Sequence, residues 1–225
     1  MEAPRRALSR TPAGDLRAAC LRVAIAIVGE QGIESLSLRE VARRLGVSHQ
    51  APYRHFPSRD HLIAAMADEA FVAFAAALDT RVRHPDPRDD LAAMGEAYIA
   101  HALREPLHYR LMFGTPLPDP AAHPQMLTSA HHAFRMLRDG ILRLYGFDAA
   151  SATDSARVAA EHDALYVWST MHGLSSLVQG QALATSGLPA ETLDVAIRHV
   201  IARIGTGLGQ APRTDTVGEG PRGKP

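Results

Sequence analysis

Cysteine is nearly absent: Cys20 stands alone in 225 residues. An intramolecular disulfide is therefore impossible, and a cysteine-based zinc site is excluded. No apolar run approaches the roughly 18 residues of a membrane-spanning helix. Arg5, Arg6 and Arg10 near the N-terminus are not followed by the apolar stretch of about 7–15 residues that marks a secretory signal. A soluble, cytoplasmic protein with no membrane partner is expected. Catalytic signatures are missing as well. There is no Gly-x-Ser-x-Gly, no P-loop, no Gly-x-Gly-x-x-Gly and no His-Glu-x-x-His, so no catalytic residue is assigned, no cofactor is expected and an enzyme is disfavoured.

What is present is ordinary globular material, 46% hydrophobic and 21% charged, which excludes disorder throughout. The length suits one large domain or two small ones. A formal net charge of zero hides a split. Residues 1–60 carry ten arginines against six acids, so the remainder carries the matching acidic excess. A basic front end on an acidic body suits a polyanion bound at one end, although a difference of this size also arises by chance.

Ala, Leu and Arg are abundant and alternating β-branched runs are scarce, so an all-α fold of about nine helices is expected. Residues 1–14 read as a disordered basic arm and 211–225 (APRTDTVGEGPRGKP) as a disordered tail. The first helix spans roughly 15–31, with Asp15 as its cap and Gly32 as its stop. The second runs from a capping box at Ser37 and Glu40 to Gly46. A short third helix, capped by Ser48, ends before Pro57. A long fourth follows Ser58 to about 83, and Asp89 opens the fifth. Pro106 opens a sixth, the seventh covers Met126 to Leu144, the eighth spans about 153–185, and the ninth lies between Pro189 and Leu208.

Two of these helices form a motif. Between residues 37 and 56, two short helices are joined by Leu45-Gly46-Val47-Ser48, and Val41, Ala42, Leu45 and Val47 can seal the angle between them. A helix pair with glycine in its turn is a DNA-binding arrangement, and spacing alone leaves an ordinary helical hairpin equally open. The run SLREVARRLGVSHQAPYRHFPSRDHL, with Val41-Ala42, Gly46-Val47-Ser48, Tyr53-x-His55-Phe56, Arg59 and Leu62 in register, resembles the DNA-binding domain of TetR-family transcriptional regulators. The resemblance covers about residues 15–75.

That resemblance implies a third helix lying in the major groove. His49, Gln50 and Ala51 on its first turn would reach base edges, since Gln pairs with adenine and an Ala methyl touches thymine. Tyr53, His55 and Arg59 would hold phosphates, as would the amides capped by Ser37 at the start of the second helix, and Arg54 belongs to the same DNA-binding set. Ser48 would cap the reading helix. Phe56 and Val47 read as core. Arg43 and Arg44 read as a solvated face rather than backbone contacts. The arginine arm could enter a minor groove, although an unattached tail is the simpler reading. Pro52 departs from the family pattern, which has an aliphatic residue there, and is expected to pose Gln50 and Ala51 differently.

The C-terminal region, 85–210, carries a second resemblance. Glu105 to Gly114 (EPLHYRLMFG) and Trp168-x-x-x-His172-Gly173 are similar to the WHG-type C-terminal domain of the same family. Such a domain binds a ligand and dimerises. Tyr98, His101, Tyr109, Met112 and Phe113 are candidates to line an apolar cavity for a small hydrophobic effector, together with Phe134, Trp168, Met171 and His172. For any one of them, plain core packing is the alternative. His123, His131, His132 and His162 read as solvated or hydrogen-bonded, with no metal site, because adjacent histidines diverge on a helix. In the family the last two helices pair with their copies, so small residues (Gly173, Ser175, Ser176, Ala182) facing the stripe from Ile197 to Leu208 imply a homodimer through the eighth and ninth helices. The resulting expectation is a dimeric repressor on a palindromic operator in double-stranded DNA, released by its effector. An activator or effector-independent DNA-binding protein is the alternative, and an enzyme on a borrowed helical fold is a remote one.

Overall fold

In the computed structural model, residues 13–180 and 182–208 are described. Among them the regular structure is helical and no strand forms. Eight α-helices follow one another: α1 Ala13–Gln31, α2 Leu38–Leu45, α3 Arg59–Asp79, α4 Pro87–Arg104, α5 Pro106–Phe113, α6 Pro124–Leu144, α7 Asp154–Gln179 and α8 Ala190–Gly207. Short 3₁₀ turns occupy Ile33–Ser35, Pro52–Arg54, Pro120–Ala122 and Ala182–Thr185. The expected tail lies outside the described residues. So does all of the expected arm, with its three arginines, except residues 13 and 14, which begin α1.

The count is eight rather than nine because the expected third helix is a turn followed by one 3₁₀ turn. Pro52 has no amide to close an α-helical bond, so the segment tightens instead. Other boundaries shift for local reasons. Helix α3 stops at Asp79 rather than about 83, and Arg81 turns inward. Helix α4 is opened by Asp86, not Asp89. The Asp86 side chain accepts from the Arg88 amide at 2.7 Å, and Pro87 takes the first helical position, where its missing amide costs nothing. Helix α7 begins after Thr153, whose hydroxyl accepts from the Ala156 amide at 3.2 Å, and it ends at Gln179 instead of about 185. By length and composition α3 would pass as a membrane span, but most of it is buried inside the protein and Asp68 lies mid-helix, so it is a core helix.

The helices pack into two units that do not follow chain order. One comprises the described residues up to 72 with 107–130, the other 73–106 with the described residues after 130. The chain passes between the two units after residues 72, 106 and 130. Local contacts explain why 107–130 joins the first unit. Arg110 Nη2 donates to the Val28 carbonyl at 3.4 Å, and Phe113 meets Phe71 edge-on at 6.0 Å. Buried Asp68 accepts from Gln125 Nε2 at 2.7 Å and Ser129 Oγ at 2.6 Å.

In the second unit, Ile141, Leu142, Ala152, Ala156, Ala160 and Ala164 form a core flanked by Leu91, Phe134 and Tyr145. Alanines on α7 let α6 approach closely. Tyr145 donates its hydroxyl to Asp163, and burial together with that carboxylate pushes the phenol pKa up. Helix α8 packs on α4. A Cβ built at Gly95 would lie 3.4 Å from the Ile201 side chain, in van der Waals contact, and Arg88 Nη1 donates to the Gly205 carbonyl at 2.9 Å. Ile201 of α8 and Met171 of α7 both reach Gly95 on α4. Within the described structure nothing lies within 4 Å of a Cβ placed on Gly173.

Candidate nucleic-acid interface

The first unit builds a frame for one short exposed segment. Ser37 caps α2, its hydroxyl accepting from the Glu40 amide at 3.1 Å. The other half of the expected capping box does not form. Glu40 instead accepts from Arg43 Nε and Nη2, both at 2.7 Å, and from Arg44 Nε at 3.0 Å. Charge-assisted bonds to two guanidiniums outcompete a neutral amide. These bonds, Arg43's first and then Arg44's, hold the Glu40 carboxyl at about 2. Arg44 also reaches Glu30 at 2.7 Å. Arg43 and Arg44 are thus occupied by acids on α1 and α2.

Gly46 ends α2 in the left-handed region at φ 66°, and the amides behind it close a Schellman motif: Gly46 N to Arg43 O at 3.2 Å and Val47 N to Ala42 O at 3.1 Å. A Cβ there would meet nothing within 4 Å, so only backbone strain opposes a side chain. Gly46→Ala is expected to cost about 1–2 kcal/mol in a thermal melt, and Gly46→Asn distinctly less, because asparagine tolerates this region. Equal losses would mean that the turn adapts. Val41 and Ala42 are fully buried under this turn, and Phe56 closes it from below, 2% exposed. The Arg17 guanidinium lies 5.5 Å over the Phe56 ring, a cation–π contact between residues 39 apart that sequence spacing does not signal.

On this frame Ser48, His49, Gln50, Tyr53 and Arg54 are exposed, and Ala51 and His55 are half-buried. Pro52 is buried and anchors the segment. Ser58 caps α3, its hydroxyl 3.4 Å from the His61 amide. Arg59 stands apart from the exposed row. Its Nε and Nη2 donate to the Leu36 and Ile33 carbonyls at 3.0 and 2.6 Å, tying the loop before α2 to the start of α3. The sequence marked Arg59 for phosphate and gave no sign of this bracing role.

The nine candidate effector residues divide between the units. In the second, Tyr98 and His101 are buried against Phe74, with ring centroids at 5.1 and 5.4 Å. Met171 is buried, Phe134 meets the partly exposed Trp168 at 6.1 Å, and His172 is half-buried, its pKa lowered by burial. In the first unit, Tyr109 and Met112 are buried and Tyr109 packs on Phe113 at 5.1 Å. A groove of about 410 Å³ runs between α4 and α8, lined by Arg88, Asp89, Glu96, Arg198 and Ile201 among others. None of the nine candidates lines it. Among the described residues no three metal-ligating side chains gather; His131 and His132 are exposed, with His132 3.8 Å from Asp79.

Residues 21–66 match the family described as bacterial regulatory proteins, tetR family, and residues 91–203 match a tetracyclin repressor-like, C-terminal domain. Over 99 residues the chain is 33% identical to the HTH-type transcriptional regulator Rv1816 of Mycobacterium tuberculosis, covering 42% of each. Over 74 residues it is 36% identical to the class C tetracycline repressor protein of Escherichia coli, covering 33% of this chain and 31% of that one. These alignments span less than half the length of the curated relatives. A solved structure of a protein with unknown function from Rhodococcus sp. RHA1 superposes with a TM-score of 0.71 at 28% identity, covering 92% of this chain and all of that one.

Proposed function

The chain belongs to the TetR family of bacterial regulatory proteins, and from that premise we propose that it is a cytoplasmic homodimeric repressor that reads an inverted-repeat operator and leaves it when a small hydrophobic effector binds. The observation that carries this is the exposed row from Ser48 to Arg54, raised on a capped, fully packed two-helix frame. His49, Gln50 and Ala51 face base edges. Tyr53, Arg54 and His55 hold phosphates of the same half-site, and the first turn of α2, capped by Ser37, offers amides to another. Arg59 acts from behind, bracing the loop ahead of α2 through two backbone carbonyls while its guanidinium keeps a full positive charge. One such segment makes too few contacts for operator specificity. Two copies presented by a twofold dimer reach successive major grooves about 34–36 Å apart.

The effector pocket draws on aromatic and methionine side chains: Tyr98, His101, Trp168, Met171 and His172 are its candidates in the second unit, and Tyr109, Met112 and Phe113 those in the first. Helix α3 is continuous from the reading unit (59–72) into the second unit (73–79), so a change in the second unit is felt at the foot of the reading segment. The effector dissociates the complex because it binds the off-DNA conformer better.

The test is selection of duplexes from a random pool by the purified protein. An enriched inverted repeat with half-sites one helical turn apart is expected, and no enrichment at moderate salt sinks the proposal. On the selected repeat, Gln50→Ala is expected to lose about 1–3 kcal/mol of discrimination at one position per half-site, leaving the others intact. A loss spread evenly over all sequences would assign Gln50 to the backbone.

A further inference from the structure

We propose that Pro52 is a specificity-determining positioning residue: by tightening the reading segment it sets Gln50, rather than His49, beside Tyr53. This rests on the DNA-reading assignment above. In an α-helix the Ser48 carbonyl would accept from the amide of residue 52. Proline has no amide, and the Ser48 carbonyl accepts from Ala51 N at 2.9 Å instead. The same three-residue step recurs from Arg54 N to Ala51 O at 3.3 Å and from His55 N to Pro52 O at 3.0 Å.

Side chains three apart share a face in this geometry, whereas in an α-helix those four apart do so closely. Gln50 lies in the Ser48–Ala51 turn, three residues before Tyr53 of the 3₁₀ turn; on ideal three-residue geometry the two share a face and His49 lies about 120° from it. Both Gln50 and Tyr53 are exposed, Tyr53 by 39%, while Pro52 is buried beneath them and touches no base itself. A tyrosine hydroxyl on a phosphate fixes the register of the segment on one strand. The amide group that shares its face then meets one base edge of that strand, and glutamine there favours adenine.

The measurement is duplex selection with the wild type and with Pro52→Ala. Ala51 already holds helical dihedrals, φ −63° and ψ −46°, so an amide at 52 can turn to the Ser48 carbonyl without straining Ala51, while His49 and Gln50 re-wind to the four-residue step. Expected is overall affinity within about threefold, with a changed base preference at the position read by Gln50. His49→Ala then relaxes specificity in the Pro52→Ala background, where Gln50→Ala no longer does. Identical preferences for the two proteins would overturn the inference while leaving the DNA-reading assignment intact. A wild type that selects no sequence overturns that assignment and the inference with it. Should Pro52→Ala fail to fold, double-mutant cycles in the wild-type background decide. Gln50→Ala and Tyr53→Phe are expected to be non-additive in affinity, and His49→Ala and Tyr53→Phe additive; the reverse pattern overturns the inference.

Discussion

Asp90→Ala is expected to destabilise the second unit by about 3–5 kcal/mol in urea unfolding, more than most core truncations. Asp90 is 1% exposed, and it gathers three segments. Arg81, 2% exposed, donates at 2.8 Å, Arg143 at the end of α6 donates at 2.7 Å, and the His84 amide donates at 3.3 Å. Arg81 also donates to the Leu78 carbonyl at 2.6 Å, which is why α3 stops where it does. Without the carboxylate, Arg81 is left charged and buried with no counter-charge, and that residue, not the lost hydrogen bonds, dominates the loss. The double variant Asp90→Leu with Arg81→Met should recover much of it, because an apolar pair of similar volume needs no compensation. A loss below about 1 kcal/mol for Asp90→Ala would mean that water reaches the site. The wild type carries a matching pH dependence. Burial alone would push the Asp90 carboxyl up, but the His84 amide and the Arg81 and Arg143 guanidiniums outweigh it and hold it below its ordinary value. A depressed folded-state pKa contributes stability that is fully present above the unfolded value, about 3.9, and is lost as pH falls through the folded one. Unfolding midpoints should therefore be insensitive to this group at neutral pH and fall in the acid range, and Asp90→Asn should flatten that part of the profile.

This ion cluster marks where the sequence stopped being informative. The motif from Ser37 to Leu62 was legible because each of its parts is local: a cap, a left-handed glycine and a proline act within four residues of themselves. Helix positions followed from the spacing of apolar residues for the same reason. The loss of the third helix was half visible, since Pro52 was the one departure from the family pattern, but whether it would sit in a first turn or break the ladder depends on which carbonyl is left to accept. Three things were hidden because they join distant residues. Arg59 was marked for phosphate and braces two carbonyls 23 and 26 residues back. By its place ahead of the apolar stripe Asp89 reads as the opening residue of α4, while Asp86 caps it and Asp90 is the buried anchor. The packing of the segment 107–130 on α3 through Asp68, Gln125 and Ser129 joins residues about 60 positions apart and has no local signal. The effector residues illustrate a different limit. An apolar stripe that lines a cavity and one that fills a core have the same spacing, and burial of Tyr98, Tyr109, Met112 and Met171 suits both.

Charging the outer face of α7 is expected to do to DNA binding what Asp90→Ala does to folding. Val158, Leu165, Tyr166 and Leu177 are each exposed by about half, between 46 and 54%, on one 26-residue helix. Between them Gly173 offers a surface that nothing in the described chain approaches. Scattered exposed apolar side chains need no explanation, but a row along one long helix around an open glycine is a surface that water should not cover. With the dimer formed there, Leu165→Asp with Tyr166→Asp buries four unpaired carboxylates, two from each copy, in the twofold interface. Because both side chains are exposed in the single chain, the variant's helicity and melting as a monomer should change little. Light scattering should give the mass of one chain where the wild type gives two. Affinity for the selected repeat should fall at least about 100-fold, a fraction of the 10³–10⁷ that separates specific from non-specific binding. The salt dependence should drop to about half its slope, because half the phosphate contacts go with the second copy. The slope distinguishes the explanations. A variant that stays dimeric puts the interface on another face, whereas a monomer that keeps full affinity and slope would mean that one reading segment suffices and that the inverted repeat has no partner to mirror.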